Sequence, residues 1–453
     1  METKEVIHFE SLYPETSRQK ELERVIGYIK LGQSVQVVGL PGVGQSTFLK
    51  LLSYNKKIRI KHLGASYEKY HFVLINFSEV RSRPFIEAIK IMFLSLADSL
   101  RDRGLIDLYD QVFNLFKESA KLQDEMVMIT GMRRALDILA LDNGITTVFL
   151  LDRFEAYIPD LTNDFFSILR TFRDRNKHKF SVIVSLNRPL WESVESVLLE
   201  DYSEYLKENI VYLALKDEAI LNFRINNLEV LYEQTIDTGI KNRIFELAGS
   251  FGKLSKNCAQ YVLSNHISRE ISTEKLVEML LSDISVQKPL MDIWHSLAPS
   301  EQDFLLSNTD YSKADADYKY LSDIGILNDG KITIPLFEIY LNSSISKLEK
   351  KTESTPIEFI ANTNEIRKGT DLISDRLTRS EFKLLRFLIE KQDSVIDRES
   401  IINSVWSDSA SVAGVTDQAL DQLLLRLRRK IEDDPINPVH IQTVKGRGVR
   451  FRP

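Results

Sequence analysis

The stretch "VVGLPGVGQST", Val37 to Thr47, decides how the first half of the chain is read. Gly39 and Gly44 keep the spacing of the phosphate-loop pattern G-x-x-x-x-G-K-[ST]. Gln45 holds the lysine position, and Ser46 and Thr47 follow it. Such a loop works through geometry more than through side chains. Glycines let the backbone curl so that successive N–H groups point at phosphate, and the following helix adds the positive end of its dipole. Gly39, Gly42 and Gly44 supply that curl, with Pro41 and Val43 between them. Ser46 stands where a hydroxyl would hold Mg²⁺. The missing lysine would neutralise the β- and γ-phosphates, and Gln45 offers a hydrogen bond without charge.

Around the loop, short apolar strands alternate with longer amphipathic helices. The pattern predicts strands at Val35–Gly39, Phe72–Phe77, Thr146–Asp152 and Phe180–Asn187. Helices are expected from Ser46 to Leu52, from Pro84 to Leu100 and in two further stretches to about Leu141. This βα alternation argues for a parallel sheet covered on both faces. "VFLLDRFE" ends its apolar run in Asp152, the place for a carboxylate that orients Mg²⁺.

From about Lys216 the strands largely vanish and helical patterns take over. They end in "GILNDGKITIPL", where Asp329-Gly330 is a hairpin signal. Helices followed by a small hairpin suggest a winged-helix segment. It is poor in cations, so a structural role is expected. "KKTESTP" has no periodicity and reads as a linker. After it come a β-meander, the helix "TRSEFKLLRFLIEKQ" with Thr378 and Glu381 as a capping box, two further helices, and a closing hairpin around Gly446-Arg447-Gly448. The organisation expected is 1–215 for an α/β P-loop NTPase domain, 216–287 for a helical lid and 288–349 for the winged-helix segment. A linker at 350–356 and an α+β winged-helix domain at 357–453 complete it.

The 453 residues carry a net charge of −6, with 43% hydrophobic and 27% charged residues, so a soluble multidomain protein is expected. Contact with nucleic acid would have to come from a local basic patch. One cysteine, Cys258, excludes an internal disulfide, and no histidine pairs with it at metal-ligand spacing. "METKEVIHFE" lacks the apolar core of a signal peptide, and no apolar run approaches bilayer length. A cytoplasmic location without membrane contact is expected.

With these motifs in hand, the region from Phe9 to Asn342 resembles the STAND/AAA+ superfamily of P-loop ATPases. "TSRQKELERVI" looks like the G-R-x-x-E-L segment that precedes the loop, with Arg18 and Glu21 matching and Ser17 replacing glycine. In that family the Asp152 strand usually ends in Asp-Glu, and the glutamate activates water. Here Arg153 takes that place, and Glu155 is the nearest substitute. Asn187 and Arg188 fall where a nucleotide-sensing residue normally sits. "ELAGSFGKLSKNC" resembles the A-G-G-x-P lid segment without its proline. The resemblance implies ATP or ADP with Mg²⁺, held by Arg18, Gly39, Pro41, Gly42, Val43, Gly44, Gln45, Ser46 and Thr47, with Ser46 and Asp152 toward the metal. It leaves three readings open: lost binding, binding without efficient hydrolysis, and a working ATPase.

The last hundred residues resemble the OmpR/PhoB-type winged-helix effector domain along their whole length. The pattern L-T-x-x-E-F-x-L-L appears as "LTRSEFKLL", and I-x-T-V-R-G-x-G-Y-R-F as "IQTVKGRGVRF". In "TDQALDQLLLRLRRKIE", Leu420, Leu423, Leu427 and Ile431 form one apolar stripe. Gln418, Gln422, Arg426 and Arg429 share the other face, where arginine can pair with guanine and glutamine with adenine. By the family pattern Arg426 and Arg428 contact bases or phosphates. Lys430 and Arg450 are available to phosphates, Lys445 matches a minor-groove arginine, and Arg447 sits at the wing tip. Family members often carry arginine where Gln418 stands, and Leu425 puts an apolar group near the groove. From Thr416 to the end, eight Lys and Arg outnumber five Asp and Glu. A protein-interaction module is the alternative for this domain.

In the OmpR/PhoB family a receiver domain usually precedes the effector, and here the nucleotide module takes that place. The first expectation is a nucleotide-controlled, double-stranded-DNA-binding transcription regulator with weak or absent hydrolysis. It would release the winged helix, or form a homo-oligomer, in one nucleotide state. An active AAA+ ATPase that loads onto DNA, of the origin or transposition type, is the alternative. A defence or stress sensor that binds a protein ligand and contacts DNA only as output is another.

Overall fold

The computed structural model describes residues 8–176, 178–194, 206, 209–306, 316–351, 356–369, 371–406, 417–432, 438–444 and 448–453. It divides into two compact units, Met1–Leu341 and Asn342–Pro453.

The first unit is built on a five-stranded sheet: β1 (Val35–Val38), β2 (Tyr70–Asn76), β3 (Thr146–Asp152), β4 (Phe180–Leu186) and β5 (Ile210–Tyr212). Their spatial order is β2-β3-β4-β1-β5, and every pairing is parallel. Alternation along each strand separates two cores. Val148 and Leu150 point into one, Phe149 and Leu151 into the other. With both faces covered, the strands need no polar side, which is why they read as continuous apolar runs. All strand carboxyl ends lie at one edge, where Gly39, Asp152 and Asn187 follow β1, β3 and β4. Ligands of open α/β sheets bind at that edge.

The helices of this part are α1 (Gln19–Lys30), α2 (Gln45–Tyr54), α3 (Lys56–Leu63), α4 (Phe85–Asp102), α5 (Ile106–Leu122), α6 (Glu125–Asp137), α7 (Asn163–Arg175) and the single turn α8 (Leu190–Ser193). The predicted strands are all present. The elements not anticipated include α1, α7 and α8, and with them α3 and β5. In α3, "KKIRIKHL" carries charge all round and shows no helical stripe. β5 has only three residues.

A helical run follows: α9 (Glu218–Leu231), α10 (Thr238–Leu247), α11 (Gly252–Ser264), α12 (Thr273–Ser282), α13 (Ile284–Ser296), α14 (Pro299–Leu306) and α15 (Ala316–Asp323). β6 (Leu327–Asn328) and β7 (Lys331–Ile332) form the expected hairpin. Asp329 and Gly330 have φ of 48° and 77°, the left-handed pair that a tight two-residue turn demands. Helix α16 (Pro335–Lys351) continues two residues into the segment read as linker. The unit boundary falls within it.

The second unit holds an antiparallel meander of β8 (Ile357–Ile360), β9 (Glu365–Lys368) and β10 (Asp371–Leu372). Helices α17 (Arg379–Glu390), α18 (Arg398–Val405) and α19 (Asp417–Ile431) follow. β11 (Val395–Ile396) pairs with the final hairpin of β12 (Ile441–Val444) and β13 (Gly448–Phe451). The capping box of α17 is complete: the Thr378 hydroxyl takes the Glu381 N–H, and the Glu381 carboxylate takes the Thr378 N–H. Among the described residues, no helix is long and apolar enough to cross a membrane.

Candidate functional sites

The loop after β1 has the shape its glycines predict. Gly42 and Gly44 lie at φ of 92° and 107°, and Gly44 caps α2. The chain therefore turns directly into a helix whose first N–H groups face the loop. Ser46 Oγ donates to Asp152 Oδ1 at 2.7 Å, and Asp152 is buried at the end of β3. Hydroxyl and carboxylate thus meet as a divalent-cation pair requires.

The remaining predicted residues are engaged with protein. Gln45 Nε2 lies 2.8 Å from Gly39 O, 2.7 Å from Leu186 O and 3.3 Å from Asn187 Oδ1. An amide has only two hydrogens, so no donor is left for a ligand. Gln45 pins the loop to the end of β4. Arg18 belongs to the same scaffold, at the edge of the small cavity beside the loop. It is buried at a left-handed φ of 52°, donates to Val43 O and Ala214 O, and pairs with Glu21. Glu155 accepts the Asn187 N–H at 2.5 Å, and burial pushes its carboxyl up. Its oxygen secures β4 instead of reaching toward the loop. Arg153, exposed, replaces the water-activating carboxylate.

Arg188 also departs from a nucleotide-sensing role. It bonds Glu192 and the buried Glu301, donates to Ser296 O and lies 4.6 Å over the Tyr320 ring. The Tyr320 hydroxyl donates to Asn187 O at 3.0 Å. The end of β4 is therefore clamped to α14 and α15.

Two cations next to the loop were not among the expected site residues, although Lys253 lies in the segment read as the lid. Arg224 on α9 donates to Thr47 Oγ1 at 2.9 Å and to the Tyr13 hydroxyl at 2.8 Å. Lys253, at the start of α11, lies over Gly42: a β-carbon on Gly42 would stand 2.6 Å from Lys253 Cδ and 3.3 Å from Phe251 Cζ. The Lys253 ammonium pairs with Asp292 at 3.0 Å. Both residues meet the loop from sequence positions about 200 residues away, and no local pattern marks Arg224.

The loop and the Ser46–Asp152 pair fit a Mg²⁺–phosphate group. The cavity beside them, between Arg18, Thr47, Asp217, Arg224 and Gly252, opens only about 10 Å³ to the centre of a water molecule. That holds one water. This cavity alone has no room for a base and ribose.

On α19, Leu420, Leu423, Leu427 and Ile431 are buried, as their spacing predicts. Gln422, Arg426 and Arg429 are exposed, and Leu425 is 37% exposed beside them. The side chain of Gln418 lies outside the described residues, as do Lys445 and Arg447. Arg428, half-buried, and Lys430, exposed, are both engaged with protein. Arg428 donates to Ile441 O at 3.0 Å and Thr443 Oγ1 at 2.8 Å, fixing α19 to β12. Lys430 pairs with the buried Glu381 at 2.6 Å and donates to Arg376 O. Arg450 is half-buried on β13, with Nε lacking a partner. Glu432 was missed: its buried carboxylate accepts the N–H groups of Val439, His440 and Ile441 and anchors the start of β12.

Residues 374–451 match the family described as "Transcriptional regulatory protein, C terminal". The sensory transduction protein RegX3 of Mycobacterium tuberculosis (strain ATCC 25618 / H37Rv) is 38% identical over 99 residues, which are 22% of this chain and 41% of RegX3. The probable transcriptional regulator ycf27 of Pyropia yezoensis is 36% identical over 134 residues, 30% of this chain and 46% of its own. The chain thus spans less than half the length of either relative. The RstA DNA-binding domain of Klebsiella pneumoniae, solved in complex with the RstA box, is 22% identical, with 21% of this chain and 89% of that one covered and a TM-score of 0.18. The Walker-type ATPase of Pyrococcus abyssi is 12% identical, with 74% and 100% covered and a TM-score of 0.41. Residues 374–451 are an OmpR/PhoB-type winged-helix domain of transcriptional regulators, preceded in the chain by a parallel α/β core that resembles P-loop ATPases.

Proposed function

We propose that the chain is a DNA-binding transcription regulator whose P-loop-type unit binds ATP or ADP with Mg²⁺ and turns it over poorly. The observation that carries the DNA reading is the exposed row Gln422, Arg426 and Arg429 on a helix whose other side is buried. Side chains on such a helix can enter a major groove without loss of the core.

For the nucleotide, the loop N–H groups after Gly42 would cradle phosphate, and Ser46 with Asp152 would hold Mg²⁺. Bound Mg²⁺ would offset phosphate charge. Gln45 adds none, and neither Arg153 nor the engaged Glu155 can take a proton from water. These features favour retention over turnover. The helical region 216–287 would act as a lid, since Phe251 and Lys253 cover Gly42. The segment 288–349 would brace it through the Arg188 clamp. Differential contacts of this kind are what a two-state control requires.

Selection from random duplexes tests the DNA reading. Enrichment of a defined sequence is expected, with affinity falling steeply with salt. If the folded protein enriches none, and Arg426→Ala leaves residual binding unchanged, the winged helix is a protein-docking surface. For the nucleotide, ATP or ADP with Mg²⁺ should raise the melting temperature, and Ser46→Ala should weaken the Mg²⁺ dependence. No shift with any adenine nucleotide would remove nucleotide control and leave the DNA reading standing.

A further inference from the structure

Helix α2 carries the phosphate loop at its N-terminus, and its C-terminal end meets two arginines without an acid. Arg59, on α3, donates through Nη1 to Leu52 O at 3.1 Å and Ser53 O at 2.5 Å. Arg103, just after α4, donates through Nη2 to Phe72 O at 2.9 Å and Ser53 O at 3.3 Å, and its Nη1 bonds His71 Nδ1 at 3.1 Å. His71 is fully engaged, because Nε2 meets Ser99 Oγ at 2.8 Å. Both arginines are half-buried, and among the described residues neither forms an ion pair with a carboxylate. A guanidinium has five N–H groups, so Arg59 keeps three open and Arg103 two.

We infer that Arg59 and Arg103 form a binding site for a phosphate-type oxyanion, separate from the loop at Gly39–Thr47. His71 sits five residues before Asn76, which pairs with Asp152 at the loop edge of the sheet. At about 3.3 Å per residue the two sites lie on the order of 17 Å apart.

The charge balance supports this. The carbonyl end of α2 supplies roughly half a negative charge, against two full positive ones. His71 adds no negative charge, since burial and then the two arginines keep its ring neutral. Burial first, and then the charge of Arg59, press the Arg103 guanidinium down to about 9. Glu10 and Asp102 act on neighbouring Tyr54 but form no ion pair with either arginine. Helix α3 itself, "KKIRIKHL", adds Lys56, Lys57 and Lys61 and holds no acid. Two arginine forks with open donors match the oxygens of phosphate or sulfate.

The test uses the full chain. The melting temperature is measured in sodium phosphate or sulfate and in sodium chloride at equal ionic strength. An oxyanion-specific rise of about 3 °C is expected. It should vanish in Arg59→Gln, survive in part in Arg59→Lys, and persist in Gln45→Glu, which repels anions from the loop. Because Arg59→Gln loses the bonds to Leu52 O and Ser53 O, each variant's shift is read against its own melting temperature in chloride. If Arg59→Gln fails to fold, Arg59→Lys carries the test: the rise should shrink there and keep its wild-type size in Gln45→Glu. No oxyanion-specific rise, or a rise lost in Gln45→Glu and kept in Arg59→Gln, would overturn the site. Repeating the titration with duplex DNA identifies the source. An Arg59-dependent rise with DNA assigns phosphodiester, and a rise only with the free ion assigns a small phosphate compound.

Discussion

The loop unit and the winged helix both carry cations and amides at family positions, yet they use them differently. Around the loop, Arg18, Gln45, Glu155 and Arg188 all bond to protein. On α19, Gln422, Arg426 and Arg429 face solvent, while Arg428 and Lys430, two and four residues past Arg426, are bonded to protein. A motif position therefore fixes the residue type and where it sits. The presence of a spare donor fixes whether it can read a ligand. By that measure the winged helix is ready for DNA, and the loop is ready only through its backbone.

Four experiments can break or sharpen this contrast. The largest effect is expected from Glu432→Ala, which leaves three backbone N–H groups without their acceptor. It should lower the stability of the second unit by about 3–5 kcal/mol in denaturant titration and abolish DNA binding without touching the exposed row. Wild-type stability would mean that water replaces the carboxylate. Next, Arg426→Ala should cost about 1–3 kcal/mol of affinity for the preferred duplex and leave the melting temperature unchanged. Arg428→Ala should do the reverse, lowering the melting temperature through two lost hydrogen bonds. A common response of the two would erase the division between outward and inward cations.

On the loop side, Gln45→Lys with Arg153→Glu should raise ATP hydrolysis at least about tenfold, roughly 1.4 kcal/mol. No gain in a folded double variant would place the obstacle at Lys253 and the closed α11. The smallest effect concerns acid. Burial pushes the Glu381 carboxyl up, but the Lys430 ammonium and the Thr378 N–H and hydroxyl more than offset it, so it lies below the usual range. A depressed carboxylate stabilises the fold above its ordinary value, near 4.3, and loses that contribution as pH falls further. Lys430→Met should therefore raise the pH at which the second unit unfolds in acid, followed by circular dichroism.

Much of this was legible in the sequence. The strand–glycine–helix order around Gly44 predicted the loop, and the stripe from Leu420 to Ile431 predicted the buried side of α19. Both are local repeats, and local repeats are what a sequence displays. Bonding partners are not local. Arg426 and Arg428 look alike in the chain, but at about 100° per residue they point roughly 200° apart, and only β12 decides which is captured. Gln45 meets Leu186 across 141 positions. Lys253 reaches Gly42 only because α11 folds over the loop. The basic α3 escaped notice because its charges lie on every side.

The clamp of Arg188 on Glu301 and Tyr320 bears on background activity. Glu301 is nearly buried, its side chain 4% exposed, and Arg188 is 22% exposed. Stripping the partner from a buried guanidinium–carboxylate pair costs about 3–5 kcal/mol, and the exposure of Arg188 argues for the lower end. Holding 99% of molecules in one arrangement takes about 2.7 kcal/mol. If the proposed control opens the unit at this clamp, the bound nucleotide would have to favour the open arrangement by more than the clamp holds the closed one. Under the proposed nucleotide control, an input weaker than this clamp would leave the output silent.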